Sequence, residues 1–281
     1  MEQDLSGKTV LVTGANTGLG RVTAEVLARR GARLILANRS EERTQPVLEA
    51  IAAAGGDATF HPLDLGDLAS VRQSAAALLA RDEPLHVLVN NAGLAGARGQ
   101  TADGFELAFG VNHLGPFLFT LLLLPALRRA GEARVVFVAS RAHKRAKRFD
   151  LDAVQGPTAS RTGFPEYARS KLANVYTSRE LGRRLAGTGI TTYAVHPGVV
   201  ASDVWRRVPW PIRPLVKLFM VSTEEGARTQ NWCASAPELA GETGRYYAKC
   251  QEAPLQGLGD DDTLARALWD RSIAWTGAPE P

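Results

Sequence analysis

The chain has 281 residues, 45% of them hydrophobic and 22% charged, with a net charge of +4 and a pI near 9.3. That is enough apolar material for one full core, and only two cysteines exclude a disulfide scaffold or a thiolate zinc site. Five scattered histidines offer no ligand spacing, so no metal is expected, and basic runs without interleaved aromatics argue against nucleic-acid binding.

Residues 1–5 lack the basic-then-apolar pattern of a secretion signal, so a cytoplasmic protein is expected. The short β-branched run Thr9–Thr13 is followed at once by Gly14-Ala15-Asn16-Thr17-Gly18-Leu19-Gly20 and a helical stretch to Arg30. Strand, glycine turn and helix in this order form a dinucleotide cradle. Gly14 permits the tight turn, Gly18 lets backbone approach a pyrophosphate at the helix N-terminus, and Gly20 allows close helix-to-strand packing. A second strand ends at Asn38-Arg39, where such folds read the adenosine ribose. With a neutral amide and an arginine in place of an acid, NADP(H) is preferred, and NAD(H) stays open as the alternative.

Further strand-like runs at 85–90, 133–140, 190–196 and 244–248 alternate with helical stretches. The pattern implies an α/β fold: a Rossmann-type doubly wound parallel sheet of about seven strands, helices on both faces, in a single domain over residues 1–281. The apolar stretch 117–127 is too short to span a membrane and reads as a buried helix. The run Arg141-Ala142-His143-Lys144-Arg145-Ala146-Lys147-Arg148 reads first as a solvated loop and second as a steering patch for anions.

Tyr167-Ala168-Arg169-Ser170-Lys171 puts a phenol and an ammonium four residues apart, on one face of a helix. A cation fixed beside a phenol favours the phenolate and brings its pKa toward the working range, which makes a proton-transfer device. Residues 204–221 carry Trp205, Trp210, Leu215, Leu218, Phe219 and Met220 among prolines and four cations. They suggest a greasy cover over a pocket, with contact at a membrane interface as the weaker alternative. The stretch 260–275 starts acidic, carries Leu264, Leu268 and Ile273 at near-helical spacing, and reads as a capped amphipathic helix.

Taken together, the ordered motifs Thr13-Gly14-x-x-x-Gly18-x-Gly20, Asp64, Asn90-Asn91-Ala92-Gly93, Asn112, Ser140, Tyr167 with Lys171, and His196-Pro197-Gly198 resemble the short-chain dehydrogenase/reductase family over essentially the whole chain. Within it, Val111-Asn112-His113-Leu114-Gly115 and Ser170-Lys171-Leu172-Ala173-Asn174 look most like the retinol dehydrogenase branch. The resemblance implies that Tyr167 is the general acid or base, that Lys171 lowers its pKa and holds the nicotinamide ribose, that Ser140 orients the substrate oxygen, and that Asn112 supports a proton-relay water. It also implies a cofactor lined by Gly14, Asn16, Thr17, Gly18, Leu19 and Gly20. Asn38 and Arg39 would then meet the adenosine ribose, Asp64 and Leu65 the adenine, Asn91, Ala92 and Gly93 the adenosine side, and Pro197, Gly198, Val200 and Ser202 the nicotinamide.

Ser140 and Tyr167 lie further apart than in the plainest members of that family, so residues 144–165 read as an insertion passing over the active-site mouth. The expected activity is interconversion of an alcohol and a ketone or aldehyde, on a lipophilic small molecule. Reduction of an activated carbon-carbon double bond is a second enzymatic reading, and a cofactor-sensing protein without chemistry is a third. A homodimer or homotetramer formed through the helices carrying Asn112 and Tyr167 is the expected assembly.

Overall fold

The computed structural model describes residues 4–198 and 222–281. Eight strands form one sheet in the order β3-β2-β1-β4-β5-β6-β7-β8. They are β1 (Thr9–Thr13), β2 (Arg33–Asn38), β3 (Asp57–Pro62), β4 (Val87–Asn90), β5 (Ala133–Val138), β6 (Ile190–His196), β7 (Arg245–Ala248) and β8 (Gln251–Glu252). All pairings are parallel except β7 with β8.

The inner strands are continuous apolar runs because helices cover both faces. Successive residues go to opposite sides: Val10 and Val12, with Leu34, Leu36, Val87 and Val89, join one buried cluster, and Leu11, Ile35 and Leu88 join the other. The first face is covered by α1 (Gly18–Arg29), α2 (Glu41–Ala53) and, further along the chain, Cys233 and its neighbours. The second face takes α3 (Leu68–Leu79), α4 (Gly115–Leu122) and α5 (Leu124–Arg129). The expected single apolar helix is thus two, broken at Leu123 ahead of Pro125. A proline near a helix start lacks the N–H a continuing helix would need.

The long α6 (Phe164–Arg184) lies against β5 and β6, α7 (Thr223–Ser235) packs on α1, and α8 (Asp262–Thr276) packs along α6. The Asp261 carboxylate caps α8 by accepting from Leu264 N, while Asp260 pairs with Arg179 on α6. Asp262 gathers Arg179 and Arg183 at 2.8 and 2.6 Å, and His113 meets Ser272 Oγ at 3.0 Å. The C-terminal helix therefore packs against both the Asn112 turn and α6, the two elements expected to form a pairing surface.

β8 lies beyond the seven or so strands that the sequence pattern implies. The two-residue turn joining it to β7, Lys249-Cys250, holds both residues at φ 55°, a left-handed conformation that glycine and asparagine adopt more easily. Replacing the pair by Asn-Gly is expected to stabilise the fold by about 1–2 kcal/mol, seen as a higher thermal midpoint with the activity unchanged.

The insertion is a packed structure rather than a free excursion. Phe149 and Val154 are buried, Gln155 bridges Phe105, and the backbone amides of Gly156 and Thr158 donate to Gly104 and Gly99. Two buried carboxylates anchor it: Glu106 accepts from Thr158 Oγ1 at 2.5 Å, and Glu166 from Ser160 N and Oγ at 3.0 and 2.5 Å. The basic run departs from a plain solvated loop in the same way. Residues Arg141–Arg145 form a 3-10 turn with Ala142 and His143 buried, and Ala146 is buried after it. Small and aromatic residues alternate with the cations, so one side of the run joins the core.

Candidate active site

In this sheet the chain reverses its direction of growth between β1 and β4, and ligands of open α/β sheets bind beyond the strand ends at such a point. The glycine turn sits there. Gly14 is at φ 67°, and a Cβ on it would come within 2.9 Å of Ala92. A Cβ on Gly20 would stand 2.3 Å from the Gly14 carbonyl oxygen, so α1 can approach the turn only because that position is bare. The Thr17 side chain makes no capping hydrogen bond to α1 and the first turn holds no acid, which leaves the positive end of the helix dipole directed at the turn.

Hydroxyl and amide groups tie this turn to the loop after β4. The amides of Asn91 and Ala92 donate to Thr13 Oγ1 at 3.1 and 3.0 Å, and Asn91 Nδ2 donates to the carbonyls of Thr13 and Gly14 at 2.9 and 3.2 Å. Asn38 is occupied in the same work: its Oδ1 accepts from Ala15 N at 2.8 Å and its Nδ2 donates to Thr44 Oγ1. The buried Asn38 amide thus shapes the glycine turn, and Arg39 is the exposed group at the end of β2. Arg39 stands 4.0 Å from the Asp64 carboxylate, whose other oxygen accepts from Gly66 N. Leu65 is buried, with its carbonyl oxygen against Gly115. Asn16 and Leu19 are half-buried on the turn, and Gly93 lies between Asn112 and Lys171. Pro197 and Gly198 are half-buried after β6, Gly198 at φ 92°. Val200, Ser202 and the covering segment 204–221 lie outside the described residues.

The four expected chemistry-bearing residues converge at the same end of the sheet. Asn112 sits in a π-helical turn, Gly110–Leu114, an irregularity common at functional sites. Its Oδ1 accepts from Leu94 N at 2.8 Å, and its Nδ2 donates to Leu94 O and to Ser170 Oγ, each at 2.9 Å. Ser170 Oγ in turn donates to the Tyr167 carbonyl at 2.8 Å. Ser170, fully buried, is therefore the link between the Asn112 turn and the Tyr167 helix. Its signal in the sequence was a hydroxyl on the apolar side of a helix, beside Lys171.

Ser140 ends the fifth strand region and caps the following turn, its Oγ accepting from Ala142 N at 3.1 Å. Tyr167 is half-buried, its ring 6.0 Å from that of Phe164. Lys171 is buried and donates from Nζ to Val138 O at 2.7 Å, with Nζ 5.8 Å from the Tyr167 ring centre.

These positions correct the expected electrostatics. Burial pushes the Tyr167 phenol up, and the Ser140 hydroxyl only partly opposes it. Burial also pushes the Lys171 ammonium down to about 8, its contact being a neutral carbonyl, with no carboxylate beside it among the described residues. The ammonium is thus turned toward the end of β5, and desolvation dominates both groups. Among the described residues, no group of three His, Cys, Asp or Glu could hold a metal ion, and no helix is long and apolar enough to cross a membrane.

The residues present fit a dinucleotide: a bare glycine turn, an uncapped helix start, and no acid at the end of β2. Comparison with known proteins agrees with this geometry. The chain is 34% identical to an uncharacterized protein from Mycobacterium Paratuberculosis of known crystal structure, with a TM-score of 0.81 and coverage of 100% of this chain and 97% of that one. A structure described as an NAD(P) dependent gluconate 5-dehydrogenase from Beutenbergia cavernae, with NADP bound at low occupancy, aligns at a TM-score of 0.71 and 26% identity over 91% of this chain and 98% of that one. Among curated proteins, Dehydrogenase/reductase SDR family member 13 of Bos taurus is 42% identical, covering 97% of this chain and 74% of the relative. Retinol dehydrogenase 11 of Homo sapiens is 42% identical, covering 98% of this chain and 87% of the relative. Residues 8–210 match the family described as short chain dehydrogenase, and with relatives of this closeness the chain belongs to the short-chain dehydrogenase/reductase family and is retinol dehydrogenase-like within it.

Proposed function

We propose that the chain is an NADP(H)-dependent oxidoreductase that interconverts an alcohol and a ketone or aldehyde on a lipophilic small molecule, acting in the cytoplasm. The observation that carries this reading is the meeting of Ser140, Tyr167, Lys171 and the Asn112 turn at the strand ends beside the glycine turn. A sensor of the cofactor would need only the glycine turn.

The nicotinamide, when bound, supplies or takes up the hydride. The protein's own part is placement and proton handling. Ser140 Oγ, held on one side by Ala142 N, directs its proton toward the substrate oxygen, and Tyr167 delivers or withdraws a proton at that same oxygen. Lys171 keeps its ammonium 5.8 Å from the Tyr167 ring centre and would hold the nicotinamide ribose. The Asn112 turn supports the water through which the proton leaves. When the cofactor is bound, Gly14, Asn16, Thr17, Gly18, Leu19, Gly20, Asn91, Ala92, Gly93, Asp64 and Leu65 would line the adenosine half, and Pro197, Gly198, Val200 and Ser202 the nicotinamide half. The lipophilic substrate is supported by Trp205, Trp210 and their apolar neighbours, and by relatives whose names specify retinol.

The preference for NADP(H) rests on Arg39, exposed at the end of β2 with no acid on that strand and with the Asp64 carboxylate 4.0 Å away. Arg39→Ala is expected to weaken NADPH binding by about 1–3 kcal/mol, a roughly 5- to 150-fold rise in Kd, and to leave NADH binding within about twofold. Equal losses for both cofactors would remove Arg39 from the ribose site. The function as a whole is tested by following reduced cofactor across lipophilic ketones, aldehydes and enones, with products identified by mass spectrometry. Alcohol products support the proposal, saturated carbonyl products support the double-bond reading, and binding without any turnover supports the sensor.

A further inference from the structure

The peptide group joining Ser140 to Arg141 is gripped at both ends by buried histidines. Its carbonyl oxygen accepts from His143 Nδ1 at 2.7 Å and from the His143 backbone amide at 3.1 Å. Its N–H, on Arg141, donates to His196 Nδ1 at 3.3 Å. A carbonyl can only accept and an amide N–H can only donate, so the two rings must be opposite tautomers: His143 carries its proton on Nδ1, and His196 leaves Nδ1 bare. His143 is fully buried and His196 is 6% exposed. Burial pushes both imidazoles down, His196 to about 3, and Arg141 and Lys144 nearby act in the same direction on His196. Both rings are therefore neutral where the enzyme would work, and the complementary pair is maintained.

The outer side of His143 is closed by structure that leads back to the Tyr167 helix. The ring meets Tyr246 edge-on, with centres 4.9 Å apart, and lies against Gly259. The Gly259 and Leu258 carbonyls are held by Arg179 Nη1 and Tyr176 Oη, both on α6. Among the described residues, His143 Nε2 has no hydrogen-bond partner. A buried acceptor left unpaired costs stability, of a kind kept where the other nitrogen has a task. His196 in turn ends β6 immediately before Pro197 and Gly198.

We propose that His143 and His196 act as a two-histidine clamp that fixes the Ser140–Arg141 peptide plane, and thereby aims the Ser140 hydroxyl, making His143 a positioning residue for the reaction. This rests on the role given to Ser140 above. The clamp joins three pieces that must keep register: the serine turn, the end of β6 and the helix that carries Tyr167 and Lys171.

Asparagine and glutamine separate the task from mere bulk, since an Asn amide nitrogen falls near the place of imidazole Nδ1 and a Gln amide nitrogen near that of Nε2. The experiment compares His143→Gln, His143→Asn and His143→Phe with the parent and with Ser140→Ala, and it combines His143→Gln with Ser140→Ala. The readings are kcat on a turned-over carbonyl compound, NADPH affinity by fluorescence, and thermal midpoint. His143→Gln is expected to lower kcat tenfold or more with NADPH affinity within twofold, and His143→Asn to recover most of the loss. In the Ser140→Ala background His143→Gln should change kcat less than twofold, because a residue acting through the serine has nothing left to aim. Where the Gln variant does not fold, His143→Phe carries the same comparison. Full kcat in His143→Gln beside a crippled Ser140→Ala overturns the clamp alone, as does an equal loss in both backgrounds. An unchanged kcat in Ser140→Ala overturns the role of the serine and the clamp with it.

Discussion

Tyr167→Phe is expected to lower kcat at least a hundredfold and to leave NADPH affinity within about twofold. The ring stays, and with it the contact to Phe164 at 6.0 Å and the packing against the cluster formed by Phe109, Leu172 and Ala173, so the fold has no reason to change. What goes is the one oxygen placed to exchange a proton with the substrate beside Ser140. The pH dependence follows from the direction of the phenol's shift. Burial holds the proton on Tyr167 through neutral pH, so the phenol is a ready donor for carbonyl reduction, and alcohol oxidation needs the phenolate. Oxidation by the parent should therefore rise with pH across the alkaline range while reduction falls. Steady-state rates in both directions at several pH values check this, and an unchanged rate in the variant would sink the proposed proton transfer.

Much of the site was legible because its signals are local. Gly14, Gly18 and Gly20 are dictated by contacts within a single strand-turn-helix unit, and Tyr167 and Lys171 share a helix face by spacing alone. The parallel, doubly wound sheet follows from alternating strands and helices, and seven parallel strands were in reach of that argument. The eighth was not, because Lys249-Cys250 carries none of the residues that usually mark a two-residue hairpin turn. What local signals do not carry is long-range. Asn38 was read as part of the ribose site by its place at a strand end, but its amide turns inward to Ala15 and Thr44, a choice set by the packing of α2. Lys171 was placed beside the phenol by spacing, yet its ammonium reaches Val138 O, on a strand 33 positions earlier. Ser170 as a link to Asn112, and His143 and His196 at one peptide group, are contacts between elements far apart in sequence. No periodicity encodes them.

Lys171→Met should separate the cost of the buried ammonium from its use. In the cofactor-free protein Lys171 is buried, its pKa held near 8 by desolvation, against about 10.5 for an exposed lysine. Its folded-state pKa is depressed, so at neutral pH the native state carries a charge that the unfolded chain would hydrate, and the penalty is present in full. As pH rises through about 8 the folded protein gives up the proton while the unfolded chain keeps it, and by linkage the native state becomes more stable. Between neutral pH and about pH 9.5 this contributes on the order of 2 kcal/mol, before unfolded-state tyrosines ionise. Tyr176, Tyr246 and Tyr247 are pushed up by burial, so they oppose the trend only as that ionisation sets in. Methionine keeps the length and apolar body of the side chain and removes the charge. The variant should be the more stable protein at neutral pH, its urea midpoint should lose the rise toward pH 9.5, and its turnover should fall about a hundredfold or more. A parent midpoint that stays flat over that range would place the ammonium in a hydrated setting. Lost stability in the variant would mean that the bond to Val138 O outweighs the desolvation it requires.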